Sequence, residues 1–519
     1  PKFFVSFLKS FYGDKATPEN SFGYDWLPKL DVAYDCLRMF ETMFQGKVNG
    51  LICQGFNPLM AIAHKNKSIA GLSKLKFLVS IDPIETDTAR FWENHGEFND
   101  VDPSKIQTEV FMLPATTFVE EEGSLTNSSR CIQWKWRAAD PSFEARSDLA
   151  ILADLFMRIR KLYEEEGGKG AEPLLNVSWN YANPLEPTPD ELLKEINGKA
   201  LVDLRDAEGN IVRRAGEQLA SFGEMRDDGS TDGAMWIYTG VYGPNGNLSQ
   251  RRDNSDPSGL GVYPNWGFSW PANRRIQYNR ASADPQGKPW SEAKKYMYWD
   301  GNRWVGPDVP DYVPTIPPER ATGPFIMNPE GVARLWVRGL MADGPFPVHY
   351  EPFESPVENP LFPKIKGNPA ARVFATDMDV FGDPKEFPIV ATTYRLVEHF
   401  HYWTKMVHMN AVMQPEFFVE MSEELAKEKG IKPGDMVKVS SNRGTVKGKA
   451  VVTKRLKPLM INGKLVHSVG LPLNFGFIGE TKKAAPINSL TPPVGDANAQ
   501  TPEFKAFLVD IEPIRGPVA

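Results

Sequence analysis

Two apolar runs separated by a stretch with helical spacing constrain the fold of this chain most. VNGLICQGFNP (48–58) has the composition of a buried strand and ends in a glycine and an Asn-Pro pair. FLVSID (77–82) is a second buried strand, and a helix-compatible segment lies between the two. Because this order is typical of open parallel sheets, we predict an α/β sheet whose ligands bind at the carboxyl ends of the strands.

Polar residues follow both predicted strands, at 54–57 and at 82–86. The glycines there do not form GxGxxG, so the nicotinamide-dinucleotide fingerprint is absent. Asp82 ends the second strand, where a carboxylate can accept hydrogen bonds from ribose hydroxyls, as in other dinucleotide folds. Alternatively, Asp82 caps the segment that follows it, and spacing alone leaves both roles open.

Residues 31–46 are predicted to form an amphipathic helix before the first strand. Leu37, Phe40 and Phe44 recur at helical spacing. Gly46 then provides a stop signal, because glycine commonly terminates helices.

A third strand, a polar loop and a further helix are predicted within 110–159. Ser147 is a suitable N-cap, and Asp148 occupies the first turn, where a carboxylate is favoured by the helix dipole. Asp148 either supports the cap or points at the N1–H and exocyclic amine of a guanine. The apolar face of this helix is predicted to consist of Leu149, Leu152, Phe156 and Ile159.

The C-terminal region predicts a small β-barrel. Ser422 caps a short helix that ends at Gly430. Residues 436–441 and 445–453 alternate apolar and polar residues around a turn, which predicts a hairpin. By contrast, 165–390 is rich in Asn, Gly, Pro and aromatic residues and shows little periodicity, as expected of a functional or surface-draped segment.

Length and charge narrow the function classes. A chain of 519 residues is expected to form several units rather than one core. A net charge of −7 argues against nucleic acid or an anionic membrane surface as a partner. No apolar run reaches bilayer-spanning length, so we expect no direct membrane insertion.

The three cysteines lack the CxxC spacing of a metal or iron–sulfur site. Cys36, Cys53 and Cys131 are far apart, and a cluster normally needs four thiolates. They form either one disulfide or, as we expect, buried thiols.

The segment TTYRLVEHFHYWTK (392–405) concentrates hydrogen-bond donors. His399 and His401 are two residues apart, so on an extended chain they point the same way as Arg395 and Thr393. This row would suit an anionic ligand rich in heteroatoms. Alternatively, the neighbouring aromatic side chains form a core and the histidines bond to backbone groups. A histidine pair alone is poor evidence for a metal.

Several strings together resemble the molybdopterin oxidoreductases of the dimethyl sulfoxide reductase superfamily. They are QGFNP (54–58), SIDPIETDTA (80–89), EEGSLTNSSRCIQ (121–133), TTYRLVEHFHYWTK (392–405), LPLNFGF (471–477) and GDANAQTPEFK (495–505). RRDNSDPSGLG (251–261) and GPFPVHYEPFE (344–354) are similar to the large catalytic subunit of the respiratory, periplasmic type of formate dehydrogenase.

The resemblance implies that this chain helps to bind two molybdopterin guanine dinucleotides. The implied cofactor-binding residues are Cys53, Gly55, Asn57, Asp82, Thr86, Asn127, Asp148, Tyr394, Arg395, His399, His401, Thr404, Asn474, Asn488, Asp496, Asn498 and Lys505. It implies no catalytic residue and no metal ligand here.

The implied fold is an α/β dinucleotide-binding-like domain with a parallel sheet, followed by a C-terminal six-stranded β-barrel domain. The expected boundaries are 1–190 for the α/β domain, which would bind one guanine dinucleotide, and 385–519 for the molybdopterin dinucleotide-binding barrel. An irregular, family-specific insertion and connector would occupy 191–384.

The resemblance also implies a reaction and partners. The chain would be the C-terminal half of a subunit that uses molybdenum or tungsten to oxidise formate to carbon dioxide, or the reverse. The N-terminal half, absent from this sequence, would hold an iron–sulfur cluster and the selenocysteine or cysteine metal ligand.

A small iron–sulfur electron-transfer subunit and a periplasmic location are expected with it. The segment around Asn273-Arg274-Arg275 would line substrate access. Alternatives are another molybdopterin oxidoreductase, such as a nitrate reductase, or a non-catalytic scaffold.

Overall fold

The computed structural model describes residues 1–93, 101–126, 130–243, 246–257, 259–269, 282–307, 314–321, 341–346 and 348–515. Asn127 and the Asn273-Arg274-Arg275 segment lie outside these ranges, so the predictions for them stay predictions. The chain divides into two compact units, Pro1–Leu30 with Ala115–Arg334 and Asp31–Pro114 with Leu335–Ala519. Within the ranges given, no helix is both long and apolar enough to cross a bilayer.

The α-helices of the described residues are α1 (Lys2–Tyr12), α2 (Cys36–Phe44), α3 (Pro58–Ala61), α4 (Lys65–Leu72), α5 (Asp148–Glu166), α6 (Ala171–Leu175), α7 (Pro189–Asn197), α8 (His408–Met413) and α9 (Glu423–Lys429). The strands are β1 (Gly50–Gln54), β2 (Phe77–Asp82), β3 (Glu109–Pro114), β4 (Gly123–Thr126), β5 (Cys131–Lys135), β6 (Leu204–Arg205), β7 (Ile211–Arg213), β8 (Tyr242–Gly243), β9 (Gly246–Asn247), β10 (Gly267–Phe268), β11 (Tyr298–Trp299), β12 (Trp304–Val305), β13 (Ile389–Tyr394), β14 (Phe418–Ser422), β15 (Met436–Ser441), β16 (Gly444–Thr453), β17 (Leu459–Ile461), β18 (Lys464–Val466), β19 (Ser468–Pro472) and β20 (Phe507–Pro513).

A three-stranded parallel sheet in the second unit confirms the predicted α/β fold. Its order is β1-β2-β3, and both neighbouring pairs are parallel. Gln54 pairs with Ile81, and Asp82 pairs with Pro114, so the three strands end at one edge. The polar segments that follow β1 and β2 therefore lie side by side, as predicted.

Helix α2 is shorter than predicted because its N-cap lies inside the predicted range. The Asp35 carboxylate accepts a hydrogen bond from the Arg38 amide at 3.1 Å, which fixes the first turn at Cys36. Residues 31–34 precede the cap and are not helical. Leu37 and Phe40 are buried, as expected.

The C-terminal part of the second unit is a closed barrel with the strand order β13-β19-β14-β16-β15-β20, which confirms the six-stranded prediction. The predicted hairpin is β15 and β16, paired antiparallel. On β16, Val446 and Ala450 are buried while Lys447 and Lys449 are exposed, so one face forms the barrel core.

The helix α9 also forms as predicted. The Ser422 hydroxyl accepts a hydrogen bond from the Leu425 amide at 3.0 Å, and Gly430 ends the helix in the left-handed conformation.

The first unit contains α5 and an antiparallel sheet of β10, β5 and β4. Ser147 caps α5 as predicted, accepting from the Ala150 amide at 3.2 Å. The predicted apolar face is wrong in part: the buried side chains are Ala150, Ile151 and Ala153. Leu152 and Ile159 of the predicted face are exposed, and Leu149 and Phe156 are only partly buried.

All three cysteines lie within the described residues, and no disulfide joins them. Cys53 and Cys131 are buried, whereas Cys36 is exposed. The expectation of buried thiols thus holds for two of the three.

Candidate dinucleotide-binding site

Gly55 opens the loop that follows β1, at the carboxyl edge of the parallel sheet. Its φ is 56°, in the left-handed region that favours glycine, and its amide donates to the Ile81 carbonyl at 3.0 Å. A Cβ at this position would meet nothing within 4 Å. The glycine is therefore required by backbone conformation, and it leaves space beside the backbone for a ligand.

Asp82 lines a cleft of about 230 Å³ at the ends of β2 and β3. The residue is 6% exposed, and its Oδ2 accepts a hydrogen bond from the Ser80 hydroxyl at 3.2 Å. The cleft is lined by Ser80, Asp82, Pro83, Ile84, Glu85, Ala89, Met112, Leu113 and Pro114. A carboxylate in this place suits a ribose hydroxyl, so the predicted contact is sterically open and stays a prediction.

The loops at this edge are held by side-chain hydrogen bonds of Cys53, Asn57 and Thr86. The Cys53 thiol donates to the Phe56 carbonyl at 3.0 Å, and burial, reinforced by Asp82, raises its pKa to about 12. The Thr86 hydroxyl accepts from the Ala89 amide at 3.2 Å. These side chains therefore fix the backbone of both loops at the edge where a ligand would bind.

Both the oxygen and the nitrogen of the Asn57 side-chain amide form hydrogen bonds. Its Oδ1 accepts from the Thr88 hydroxyl at 2.8 Å and the Thr88 amide at 3.2 Å. Its Nδ2 donates to the Asp87 carboxylate at 3.0 Å. The side chain is 1% exposed, so it holds the loop after β1 against the loop after β2.

Asp87, which the sequence analysis did not single out, connects the sheet edge to the barrel part of the same unit. It is fully buried and forms an ion pair with Lys405, 2.7 Å from Oδ2 to Nζ. Its Oδ1 accepts from the Phe477 amide at 2.9 Å and the Ile478 amide at 3.2 Å. The available signal was Lys405 shortly after Tyr402 and Trp403, because a lysine that becomes buried beside aromatic residues needs an anionic partner.

The segment after β13 is not the predicted extended row of side chains. The strand stops at Tyr394, whose carbonyl still accepts from the Leu473 amide of the chain after β19 at 3.0 Å. The next donor, the Leu396 amide, leaves the ladder and donates to the Asn474 side chain at 3.2 Å. His399 then lies in a turn, and His401 has a positive φ of 46°. The prediction that Arg395, His399 and His401 share one side of a strand is therefore wrong.

His399 bonds within the protein through both ring nitrogens. Nδ1 lies 3.0 Å from the Thr404 hydroxyl, and Nε2 lies 2.9 Å from the Gln414 carbonyl. The residue is 6% exposed. This matches the alternative in which a histidine bonds to the backbone, and it gives His399 and Thr404 a role in shaping the turn.

Asn474 holds the turn from the other side. Its Oδ1 accepts from the Leu396 amide at 3.2 Å, and its Nδ2 donates to the His401 carbonyl. The side chain is fully buried. Because β13 and β19 are parallel, Asn474 and Arg395 both follow strands that end at the same edge of the barrel.

Two cations, Arg395 and Lys505, and the imidazole of His401 form a cationic cluster at that barrel edge. The Arg395 Nε donates to His401 Nδ1 at 3.3 Å, and the Lys505 ammonium donates to the Thr393 carbonyl at 2.6 Å. Burial lowers the pKa of His401, and the charges of Arg395 and Lys505 lower it further. Burial and Arg395 likewise lower the pKa of Lys505. An anionic ligand would relieve this mutual repulsion.

Tyr394 faces the barrel wall instead of this cluster. Its hydroxyl donates to Glu420 at 2.9 Å, and burial together with that carboxylate raises the pKa of Tyr394. Arg455 completes the arrangement through an ion pair with Glu420.

The predicted residues of the closing stretch are bonded locally. Asn488 donates to the Met60 carbonyl at 2.7 Å, which ties this stretch to α3. The Asp496 carboxylate accepts from the Asn498 amide at 3.0 Å. The Asn498 side chain in turn donates to Asp343 at 3.0 Å. Cofactor contacts by these residues stay predictions.

Asp148 lies in the first unit as the first residue of α5, half-buried. A cavity of about 730 Å³ adjoins this helix end and is lined in part by Arg146, Ser147 and Leu149. Asp148 itself is not among the residues that line this cavity, so its guanine contact stays a prediction.

The donor set suits a nucleotide-bearing, polyanionic cofactor. In the second unit, the buried carboxylate in its cleft suits a ribose hydroxyl, and the open glycine loop and the cationic cluster suit phosphate or other acidic groups.

Two family patterns match parts of the chain. The "Molydopterin dinucleotide binding domain" matches residues 389–508, from β13 to the first residues of β20. "Molybdopterin oxidoreductase" matches residues 111–158, which include β4, β5 and the start of α5.

Several curated relatives align over almost the whole chain. The formate dehydrogenase-O major subunit of Escherichia coli is 56% identical over 516 residues, covering 99% of this chain and 51% of that protein. The formate dehydrogenase major subunit of Haemophilus influenzae is 50% identical, covering 99% and 50%. A solved structure of acetylene hydratase from Pelobacter acetylenicus aligns with 98% of this chain and 50% of its own, with a TM-score of 0.44 and 12% identity. The chain thus spans about half the length of the curated relatives it matches.

Proposed function

We propose that this chain, a member of the molybdopterin oxidoreductase family homologous to the C-terminal half of formate dehydrogenase major subunits, is the cofactor-holding part of such an enzyme. The observation that carries the proposal is the cluster of Arg395, His401 and Lys505 at one edge of a barrel that matches the family's dinucleotide-binding domain.

Each part of the site has a distinct task in this proposal. The cationic cluster would bind anionic groups of one molybdopterin guanine dinucleotide. Asp82, in the second unit, would accept hydrogen bonds from a ribose. Asp148, in the first unit, would accept hydrogen bonds from the edge that distinguishes guanine from adenine. The enzyme would bind two such dinucleotides.

The bound cofactor would carry molybdenum or tungsten and supply the two-electron redox chemistry that interconverts formate and carbon dioxide. This chain would bind and orient the cofactor and keep water from its buried groups. The remaining part of the subunit would hold the iron–sulfur cluster, and a small iron–sulfur subunit would accept the electrons. We place the enzyme in the periplasm.

Guanine retention tests the proposal. The chain is produced together with the rest of its catalytic subunit, and guanine released by acid is counted per polypeptide. A hydrogen bond to a charged group contributes roughly 1.5–3 kcal/mol, so Asp82→Asn and Asp148→Asn should each weaken retention about 10- to 100-fold.

Asp140→Asn is the matched control, because the Asp140 side chain is 92% exposed. Guanine content that stays equal in all three variants would remove Asp82 and Asp148 from the site. A purified wild type that contains neither guanine nor molybdenum or tungsten would refute the proposed function itself.

A further inference from the structure

The Asp87 carboxylate divides its two oxygens between separate tasks. Oδ2 accepts from Asn57 at 3.0 Å and from Lys405 at 2.7 Å. Oδ1 accepts the backbone amides of Phe477 and Ile478. Three segments far apart in sequence, namely the loop after β1, the turn at 404–406 and the stretch after β19, thus meet at one fully buried carboxylate.

Two of these segments lead directly to the cationic cluster. Lys405 follows Thr404, whose hydroxyl bonds to His399. Phe477 lies three residues after Asn474, which bonds to the Leu396 amide and the His401 carbonyl. The turn that carries Arg395 and His401 is therefore held by Thr404 and Asn474. Each of these residues lies close in sequence to a residue that bonds to Asp87.

Gly476 packs so closely against the Asp87 carboxylate that a side chain at position 476 would clash with it. A Cβ at Gly476 would lie 2.5 Å from Asp87 Oδ1 and 3.0 Å from the Met60 sulfur. The ammonium of Lys405 is fully buried as well and also contacts the Ile478 carbonyl. Each ion has its counterion inside the protein, which a buried pair requires.

We infer that Asp87, with Lys405, is a positioning residue for the proposed cofactor site, and that it sets the placement of His401 against Arg395 and Lys505. This inference rests on the proposed function in one respect: the proposed function identifies the ligand that the cationic cluster binds. The placement itself is measured without cofactor, so the two can fail independently.

The test compares two variants of the full chain that are matched in charge. Asp87→Asn/Lys405→Met and Asp87→Ala/Lys405→Met both remove the buried ion pair, but only the first keeps an oxygen that can accept from Phe477 and Ile478. The readout is the titration of His401, followed by NMR with 13C-labelled histidine. The chain has seven histidines, so His401→Gln suffices to assign the signal.

In the wild type, the pKa of His401 lies below its ordinary value. The alanine double variant should shift the titration upward, because His401 is no longer held beside two cations, whereas the asparagine double variant should keep it low. Asp377→Asn is the control: Asp377 is a fully buried partner of Lys67 in the same unit, 2.6 Å away, and bonds to none of the three segments. It should leave His401 unchanged.

Equal titration of His401 in the two double variants, or an equal shift in Asp377→Asn, would overturn the inference. Hydrogen exchange of the wild type gives a second test that needs no folded variant. The amides of Phe477 and Ile478 should exchange slowly because they donate to a buried carboxylate. Exchange as fast as that of a solvent-exposed loop would show that Asp87 does not anchor this stretch.

Discussion

Replacing Lys65 by methionine should stabilise the protein, and more at pH 7 than at pH 9. Lys65 is 1% exposed, and within the part of the chain that the structure describes its ammonium has no hydrogen-bond partner. It lies 5.3 Å from the centre of the Phe477 ring. Burial lowers the pKa of Lys65 from 10.5 to about 7, although the charge of Asp87 acts in the opposite direction.

The magnitude follows from proton linkage. Between about pH 7 and pH 10.5, the unfolded chain binds a proton at Lys65 that the folded chain has released, so the free energy of unfolding rises with pH. The slope is about 1.4 kcal/mol per pH unit, or about 2–3 kcal/mol from pH 7 to pH 9. Well below pH 7 the lysine is charged in both states, and its contribution no longer changes. Lys65→Met has no proton to release and should lack this slope.

The assay is urea unfolding at pH 7, 8 and 9. Unfolding is monitored by hydrogen-exchange mass spectrometry of peptides that cover residues 58–82. Local peptides are used because a chain with two units need not unfold in one step. Lys76→Met is the control, since Lys76 is exposed and its replacement should preserve the pH dependence of the wild type.

Parallel pH dependence of Lys65→Met and the wild type would refute the reasoning. It would mean that Lys65 keeps its proton throughout this range, and hence that an anionic partner or solvent reaches the ammonium in solution.

Further predictions concern the loop after β1 and the cationic cluster. Gly55→Val should reduce guanine content more than Gly55→Asn, because asparagine tolerates a φ of 56° at a lower cost than a β-branched residue; equal losses in the two variants would contradict a conformational role. At pH 8, iodoacetamide should modify the exposed Cys36 before Cys53, whose pKa burial raises to about 12, as peptide mass spectrometry can establish; the reverse order would be inconsistent with the buried thiol. Lys505→Met should raise the pKa of His401, since it removes a nearby cation, and an unchanged NMR titration would place Lys505 too far away to matter.

The sequence determined the local elements of this protein. Strands β1 and β2, the caps at Ser147 and Ser422, and the hairpin of β15 and β16 were all predicted from residues close together in the chain. Caps and alternating strands are specified within a few residues, so a single sequence carries the necessary information. The strand–helix–strand order predicted a parallel sheet, and hence that β1 and β2 end at the same edge.

Tertiary structure decided how the site is assembled. The sequence could not indicate that the Leu396 amide would leave the ladder for the Asn474 side chain, so the row of His399 and His401 was predicted as extended. Nor could it indicate that Asp87 would receive Lys405, 318 residues away, or the amides of a stretch almost 400 residues away. Such partners are chosen by packing, because a carboxylate buried without donors is too costly to persist and the nearest donors in space need not be near in sequence.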